Sequence, residues 1–295
     1  MRLLSPADVR TLLVTHGVRP SRALGQNFLA DANTARRIVR LAGVGPDTRV
    51  LEVGPGVGSL TLALAEQAGE VVALELDRHL LPVLEEVLSG APGVRVVQGD
   101  ALTVDYDALL SPRGHPEPRG SGAGEPWTMV SNLPYNVATP LLARLLDDVP
   151  RLERLVVMVQ KEVAERLAAP PGTPACGAIS VKVAYHAETS VLAVVPPTVF
   201  VPRPRVDSAV VAFDRRPEPP VEVPSPQAMF ELARAGFGQR RKMLRQSLRP
   251  VLGPEAEAVL RAAGLAPSAR AETLRLEDWA ALARAAAGRT NEGAA

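Results

Sequence analysis

Cysteine is almost missing from these 295 residues; Cys176 stands alone. A single thiol excludes an internal disulfide framework and any zinc site built on several cysteines. Its ordinary role is that of a small buried apolar side chain. Histidine is scarce as well: His16, His79, His115 and His186 are scattered without ligand spacing, so no metal is expected. Aromatics are few, with 2 Trp, 3 Tyr and 5 Phe, so a tyrosine in a polar turn is not background. Lysine occurs only at 161, 182 and 242, against thirty arginines, which suggests a GC-rich coding background rather than selection for RNA binding. No apolar run is long enough to span a membrane, and MRLLSPADVRTLLVTHGVRP lacks the apolar core of a signal peptide. A cytoplasmic protein with no membrane partner is expected.

What is present is an ordinary folded composition, 46% hydrophobic and 22% charged. Net charge is only +1, but residues 200–250 hold ten basic and five acidic side chains, leaving −4 for the rest. A local basic surface suits phosphate contacts. Apolar β-branched runs at 49–53, 70–76, 94–98, 127–131 and 154–160 read as buried strands. SLTLALAEQ and RHLLPVLEEVL between them read as helices. That alternation predicts a parallel sheet covered on both faces. Later runs, AISVKVAYHA, SVLAVV and DSAVVAFD, read as strands without intervening helices, so the sheet should end in antiparallel pairings. The Pro- and Gly-rich stretch 111–126 predicts an excursion between strands, and RRPEPPVEVPSPQ (215–227) a linker. The expected division is a catalytic domain over 1–216 and a small helical domain over 217–295.

LEVGPGVGSLTLA (51–63) sets a Gly-rich turn between a strand and a helix, where backbone N–H groups meet a ligand closely. Glu75 ends the next strand, 21 positions after Gly54, where a carboxylate would meet ribose hydroxyls. A dinucleotide fingerprint needs its third glycine at 59, which is Ser59, and Pro55 stiffens the turn. S-adenosyl-L-methionine fits better, since it has ribose and adenine but no pyrophosphate. Its ammonium and sulfonium favour a carboxylate such as Glu52, and Asp100, after the third strand, would accept from the adenine amino group.

SNLPYNVAT (131–139) follows the fourth strand. An exocyclic ring amine is a poor nucleophile because its lone pair is delocalised. The Asn132 side-chain carbonyl and the Leu133 backbone carbonyl, held by the Pro134 elbow, could accept its two N–H bonds and favour a pyramidal nitrogen. Tyr135 would stack on the base. Positioning and dipolar stabilisation would then suffice without a strong base, and adenine N6 fits the description.

Taken together, LGQNFLAD, LEVGPGVGSLT, ALELD, GDAL, NLPYN, VPPTVFVPRPRVDSAVV and FGQRRKMLRQSL resemble the small-subunit rRNA adenine N6,N6-dimethyltransferase family, from about residue 20 to residue 285. NLPY alone would also suit the macrolide-resistance methyltransferases of large-subunit rRNA; GQRRKMLRQSL favours the small-subunit family. The resemblance implies an α/β fold, a Rossmann-like class I S-adenosylmethionine-dependent methyltransferase sheet with a small C-terminal all-helical domain. It implies dimethylation of two adjacent adenosines in a hairpin loop near the 3′ end of 16S rRNA, within a 30S subunit or its precursor, by a monomer. The donor would become S-adenosyl-L-homocysteine. Matched motifs imply a donor site of Gln26, Asn27, Leu29, Glu52, Gly54, Gly56, Gly58, Glu75, Leu76, Asp100, Ala101 and Asn132. They imply a catalytic set of Asn132, Leu133, Pro134, Tyr135 and Phe200, with Phe200 as a second aromatic wall for a flipped base. Leu133 replaces the second proline of the N-P-P-Y version in other amino methyltransferases and is expected to help retain a monomethylated amine. Cys176, Lys182 and the long 111–126 stretch depart from the family pattern without touching a motif.

In QRRKMLRQSLR, Arg241, Arg245 and Arg249 recur at helical spacing, with Arg240 and Lys242 beside them and Leu244 and Leu248 on the adjoining face. One stripe is expected to dock on a core while the other meets RNA phosphates. Two competing functions remain open on the residues alone: a methyltransferase for DNA adenine, large-subunit rRNA or a small amine, and an RNA-binding assembly factor. The complete donor motifs and the Asn132–Tyr135 set argue against binding alone.

Overall fold

The computed structural model describes residues 2–21, 24–111, 125–134 and 137–292. Tyr135 and nearly all of the 111–126 stretch therefore lie outside the described residues. The chain forms two compact units, 1–164 with 190–215, and 165–189 with 216–295.

In the first unit, helix α1 (Pro6–Thr15), strand β1 (Phe28–Leu29) and helix α2 (Ala32–Ala42) precede an alternation of strand and helix. This runs β2 (Arg49–Val53), α3 (Ser59–Ala65), β3 (Glu70–Glu75), α4 (Leu81–Leu88), β4 (Val94–Gln98), α5 (Tyr106–Leu109), β5 (Trp127–Asn132), α6 (Ala138–Asp148) and β6 (Leu152–Gln160). After α7 (Lys161–Leu167) and α8 (Ala178–His186) come β7 (Ala187–Val195), β8 (Phe200–Val201) and β9 (Ser208–Arg215). The main sheet has the order β4-β3-β2-β5-β6-β9-β7. Its first five strands are parallel, and β9 runs antiparallel to β6 with Val156 opposite Ala212. The central strands β2 and β3 are buried almost end to end, which is why they read as continuous apolar runs, while the edge strand β4 is only half-buried.

Strand order reverses between β2 and β5, because the chain first builds outward from β2 to β3 and β4 and later returns to β2's other side. A reversal of this kind opens a crevice at the carboxyl ends of the two strands. Beside it lies a two-stranded ribbon in which Leu29 pairs with Phe200 and Phe28 with Val201. At the far end of β9 the Arg215 guanidinium donates to the carbonyls of Leu145, Leu146, Val149 and Leu152 at 2.9–3.2 Å, closing the C-terminal turn of α6.

The second unit takes in residues 165–189, which the sequence reading placed in the first domain. Two features explain the difference. AISVKVAYHA is helix α8 and not a strand: Gly177 N–H donates to Ser180 Oγ at 3.0 Å, and Ser180 Oγ donates to the Arg166 carbonyl at 2.5 Å, which fixes a helical start. Tyr185 then packs edge-on against Phe230, ring centroids 5.5 Å apart, on helix α9 (Pro226–Gly238). Packing overrides the β-branched propensity of the segment. Short helices α10 (Leu244–Ser247), α11 (Arg249–Leu252) and α12 (Ala256–Ala262) follow, then α13 (Leu276–Glu292). Trp279, Met229, Leu232, Leu244 and Leu248 form their shared core.

The basic segment is also not one helix. Helix α9 stops at Gly238, residues 239–243 form a turn with Lys242 N–H donating to the Gln239 carbonyl at 2.8 Å, and Met243 is extended with ψ 150°. Arg241, Arg245 and Arg249 therefore do not share a helical stripe. Leu244 and Leu248 are fully buried, as expected of the docking face.

Candidate functional site

The carboxyl ends of β2, β3, β4 and β5 open onto one cavity in the first unit. Gly54 follows β2 directly and donates its N–H to the Leu74 carbonyl at 2.9 Å, which ties the Gly-rich loop to β3. Gly56 has φ +61°, and a Cβ there would sit 2.8 Å from the Phe28 ring. Only glycine permits both the left-handed backbone and that close approach. Gly58 caps α3, with its backbone against Leu84 and Val87 of α4, and does not line the cavity. Its part is to let the two helices approach. All other expected donor-site residues line the cavity.

Glu75 fastens the loop. One carboxylate oxygen accepts from Gly56 N–H at 3.1 Å and the other from Asp77 N–H at 2.8 Å. Burial pushes its pKa up, against the pull of those two backbone hydrogen bonds. Glu52 is 1% exposed, and its Oε2 has no hydrogen-bond partner among the described residues. Its pKa is pushed up to about 8, first by burial; the Thr61 hydroxyl tempers the rise and the Glu75 charge adds to it. An orphaned buried carboxyl facing a cavity is a site for a donor or a cation. On the β4 side, Asp100 Oδ1 accepts from Leu102 N–H at 2.8 Å. No arginine or lysine lines the cavity among the described residues. Carboxylates without basic side chains suit a cationic, phosphate-free ligand and not a pyrophosphate.

At the β5 end, Asn132 donates Nδ2–H to the Asn27 carbonyl at 3.1 Å, which fixes its Oδ1 as the accepting end of the amide. Leu133 is buried, and its N–H donates to the Met158 carbonyl at 3.1 Å, extending the β5–β6 ladder by one residue. The Pro134 ring lies 3.5 Å from where a Gly54 Cβ would be, so the two loops that form the crevice touch. Asn132, Leu133 and Pro134 all line the cavity. Phe200 does not. Its ring is 4% exposed, in the core cluster with its strand partner Leu29.

The aromatic ring on the cavity lining that sequence reasoning missed is Phe28, two residues beyond Gln26 in the same LGQNFLAD segment and itself 4% exposed. Asp77 was missed as well, although it stands two positions after Glu75. It lines the rim and accepts from Gln26 Nε2–H at 2.9 Å, while Gln26 Oε1 accepts from Ser21 N–H at 2.8 Å. The basic candidates lie in the second unit. Arg241, Lys242, Arg245 and Arg249 are exposed. Arg240, also exposed, donates to the Pro174 carbonyl at 3.0 Å and pairs with Glu272 at 3.7 Å.

Comparison with known proteins agrees with this geometry. The ribosomal RNA adenine dimethylase family model matches residues 18–287. The chain is 47% identical over 283 residues to the ribosomal RNA small subunit methyltransferase A of Pelotomaculum thermopropionicum, covering 95% of each. It is 47% identical over 289 residues to the protein of the same name from Thermobifida fusca, covering 96% of each. Among solved structures, the 23S rRNA methyltransferase ErmE superposes with a TM-score of 0.63 at 30% identity, over 88% of this chain and 100% of that one. A dimethyladenosine transferase from Plasmodium falciparum gives 0.68 at 22% identity, over 86% and 95%, which bears on the fold. With the Rossmann-like sheet, the Gly-rich crevice and the Asn132–Pro134 turn in the order its motifs require, and a family match running through both units, the chain belongs to the ribosomal RNA adenine dimethylase family.

Proposed function

We propose that this chain dimethylates N6 of two adjacent adenosines in a hairpin loop near the 3′ end of 16S rRNA, within a 30S subunit or its precursor, with S-adenosyl-L-methionine as donor. The observation that carries the reading is the cavity at the strand reversal, lined among the described residues by carboxylates and no basic side chain, and by Asn132, Leu133 and Pro134. The donor supplies an electrophilic methyl group on a sulfonium. Glu52, protonated in the ligand-free chain below about pH 8, would release its proton to pair with the donor's cationic end, while Glu75 accepts from ribose hydroxyls and Asp100 from the adenine amino group. Asn132 Oδ1 and the Leu133 carbonyl accept from the substrate amine and hold its lone pair in line. Tyr135 is assigned to stacking on the base by its place in NLPY. Phe200, in the core, supports the ribbon that carries Leu29 and Phe28 into the cavity. Arg240, Arg241, Lys242, Arg245 and Arg249 are assigned to RNA phosphates, with Arg240 also holding its own turn.

The likeness to ErmE favours a second reading, methylation of large-subunit rRNA. Tritiated donor offered to unmethylated 30S particles, 50S particles, DNA and naked rRNA separates the two. Label confined to 30S and abolished by Asn132→Ala is expected. Label in 50S would replace the reading with the second one, and binding without label anywhere would leave an assembly factor.

A further inference from the structure

The β4 side of the cavity is a short loop from which Asp100, Ala101 and Leu102 line it. It folds on itself, with the Asp100 carbonyl accepting the N–H groups of Thr103 at 3.0 Å and Val104 at 2.8 Å. What fixes the folded turn comes from α6. Arg144 donates from Nη1 to the Ala101 carbonyl at 2.8 Å and from Nη2 to the Val104 carbonyl at 2.7 Å. The Tyr106 hydroxyl donates to the same Ala101 carbonyl at 2.8 Å, and the guanidinium carbon sits 5.0 Å from the Tyr106 ring centroid. Burial holds the Tyr106 pKa well above its usual range, so the phenol stays a donor. Asp148, one turn further along α6, lies 3.7 Å from the guanidinium Nε. The planar fork of arginine sets two nitrogens against two carbonyls in a fixed geometry, whereas lysine offers its donors from a single flexible ammonium. The same face of the cavity receives Val137, just before α6, and Leu141, three positions before Arg144. One side chain thus joins the Asp100 turn to the helix that follows the Asn132–Pro134 turn.

We infer that Arg144 is a positioning residue for donor binding: bridging α6 to the 100–104 turn, it sets the width of the adenine slot and the aim of Asp100. The inference rests on the reading of the cavity as an S-adenosyl-L-methionine site. Arg144 does not line the cavity, so it acts only through the turn. A helix-packing arginine with no such role would loosen both ends of the cavity alike; a positioning arginine affects the adenine end alone.

The test is calorimetric binding of S-adenosyl-L-homocysteine to the full chain and to Arg144→Met, Arg144→Lys, Asp100→Ala and Glu52→Gln, alone and paired. Arg144→Met should weaken binding about tenfold, the loss expected when two charge-assisted hydrogen bonds become indirect. Arg144→Lys, which keeps the charge and N–H donors but not the two-nitrogen fork, should recover part of it. Combined with Asp100→Ala, Arg144→Met should add less than about a twofold further loss, whereas with Glu52→Gln the two losses should multiply. Affinity unchanged in both Arg144 variants, or losses that multiply with Asp100→Ala as they do with Glu52→Gln, would overturn the inference alone. Wild-type protein that binds no S-adenosyl-L-homocysteine would overturn the cavity reading, and the inference with it.

Discussion

Glu52 combines burial, an orphaned oxygen and a cavity, and its protonation is coupled to folding. Its pKa rises from 4.5 to about 8 in the folded chain. Below pH 4.5 both folded and unfolded chains hold the proton; between there and pH 8 only the folded chain does. Folding therefore binds a proton across that window, and the contribution of Glu52 to stability falls as pH rises through it. Glu52→Gln keeps the shape and removes the titration. The Tm of the ligand-free variant should gain on wild type between pH 5 and pH 8, by roughly 2–4 °C for each kcal/mol relieved. A Tm difference equal at both pH values would refute the coupling. Leu133 carries a second prediction at this scale. Proline at 133 would leave more monomethyladenosine in the product, and it would also delete the hydrogen bond to Met158, at about 1 kcal/mol. Leu133→Ala keeps that N–H and separates the two effects. Mass spectrometry showing an unchanged mono-to-dimethyl ratio in Leu133→Pro would remove Leu133 from product control.

Among the elements, the parallel strands were legible because burial on both faces demands uninterrupted apolar residues; β2, β3 and β6 carry them. Helix α8 was not. Its Ile179, Val181, Val183 and Tyr185 alternate like a strand, and the deciding contacts, with Phe230 and the Arg166 carbonyl, are 45 and 14 residues away from the groups that make them. The basic segment failed for a related reason. Arginines at 241, 245 and 249 keep helical spacing, but Leu244 and Leu248 are anchored in the core while Met243 is extended, and the helix is interrupted between Gly238 and Leu244. On the cavity lining, Glu75, Asp100 and Asn132 could be read because Glu75 and Asn132 end strands and Asp100 stands two positions beyond one. Phe28 could not, because nothing in the sequence indicates that Gly56 leaves room for its ring. Local periodicity finds what repeats along the chain; a contact between distant segments leaves no such mark.

At the scale of the whole molecule, the charge distribution bears on the proposed binding of ribosomal RNA. Residues 200–250 carry +5 while the chain as a whole carries +1. Arg241 in the turn and Arg245 on α10 are exposed, and neither side chain makes a hydrogen bond or ion pair among the described residues. Arg240, by contrast, is tied to Pro174 and Glu272. Replacing Arg241 and Arg245 by Glu should therefore leave the helical unit folded, which far-ultraviolet circular dichroism checks. Each phosphate contact contributes about 0.7–0.9 to the slope of log affinity against log salt. Losing two should flatten that slope by about 1.5 for binding to immature small-subunit particles, and weaken binding most at low salt. Arg10→Glu, on the exposed side of α1, serves as the control for net charge, because general repulsion would act there as well. If the double variant keeps the wild-type slope, or Arg10→Glu flattens it equally, these arginines do not contact phosphate, and the RNA surface must be sought elsewhere on the chain.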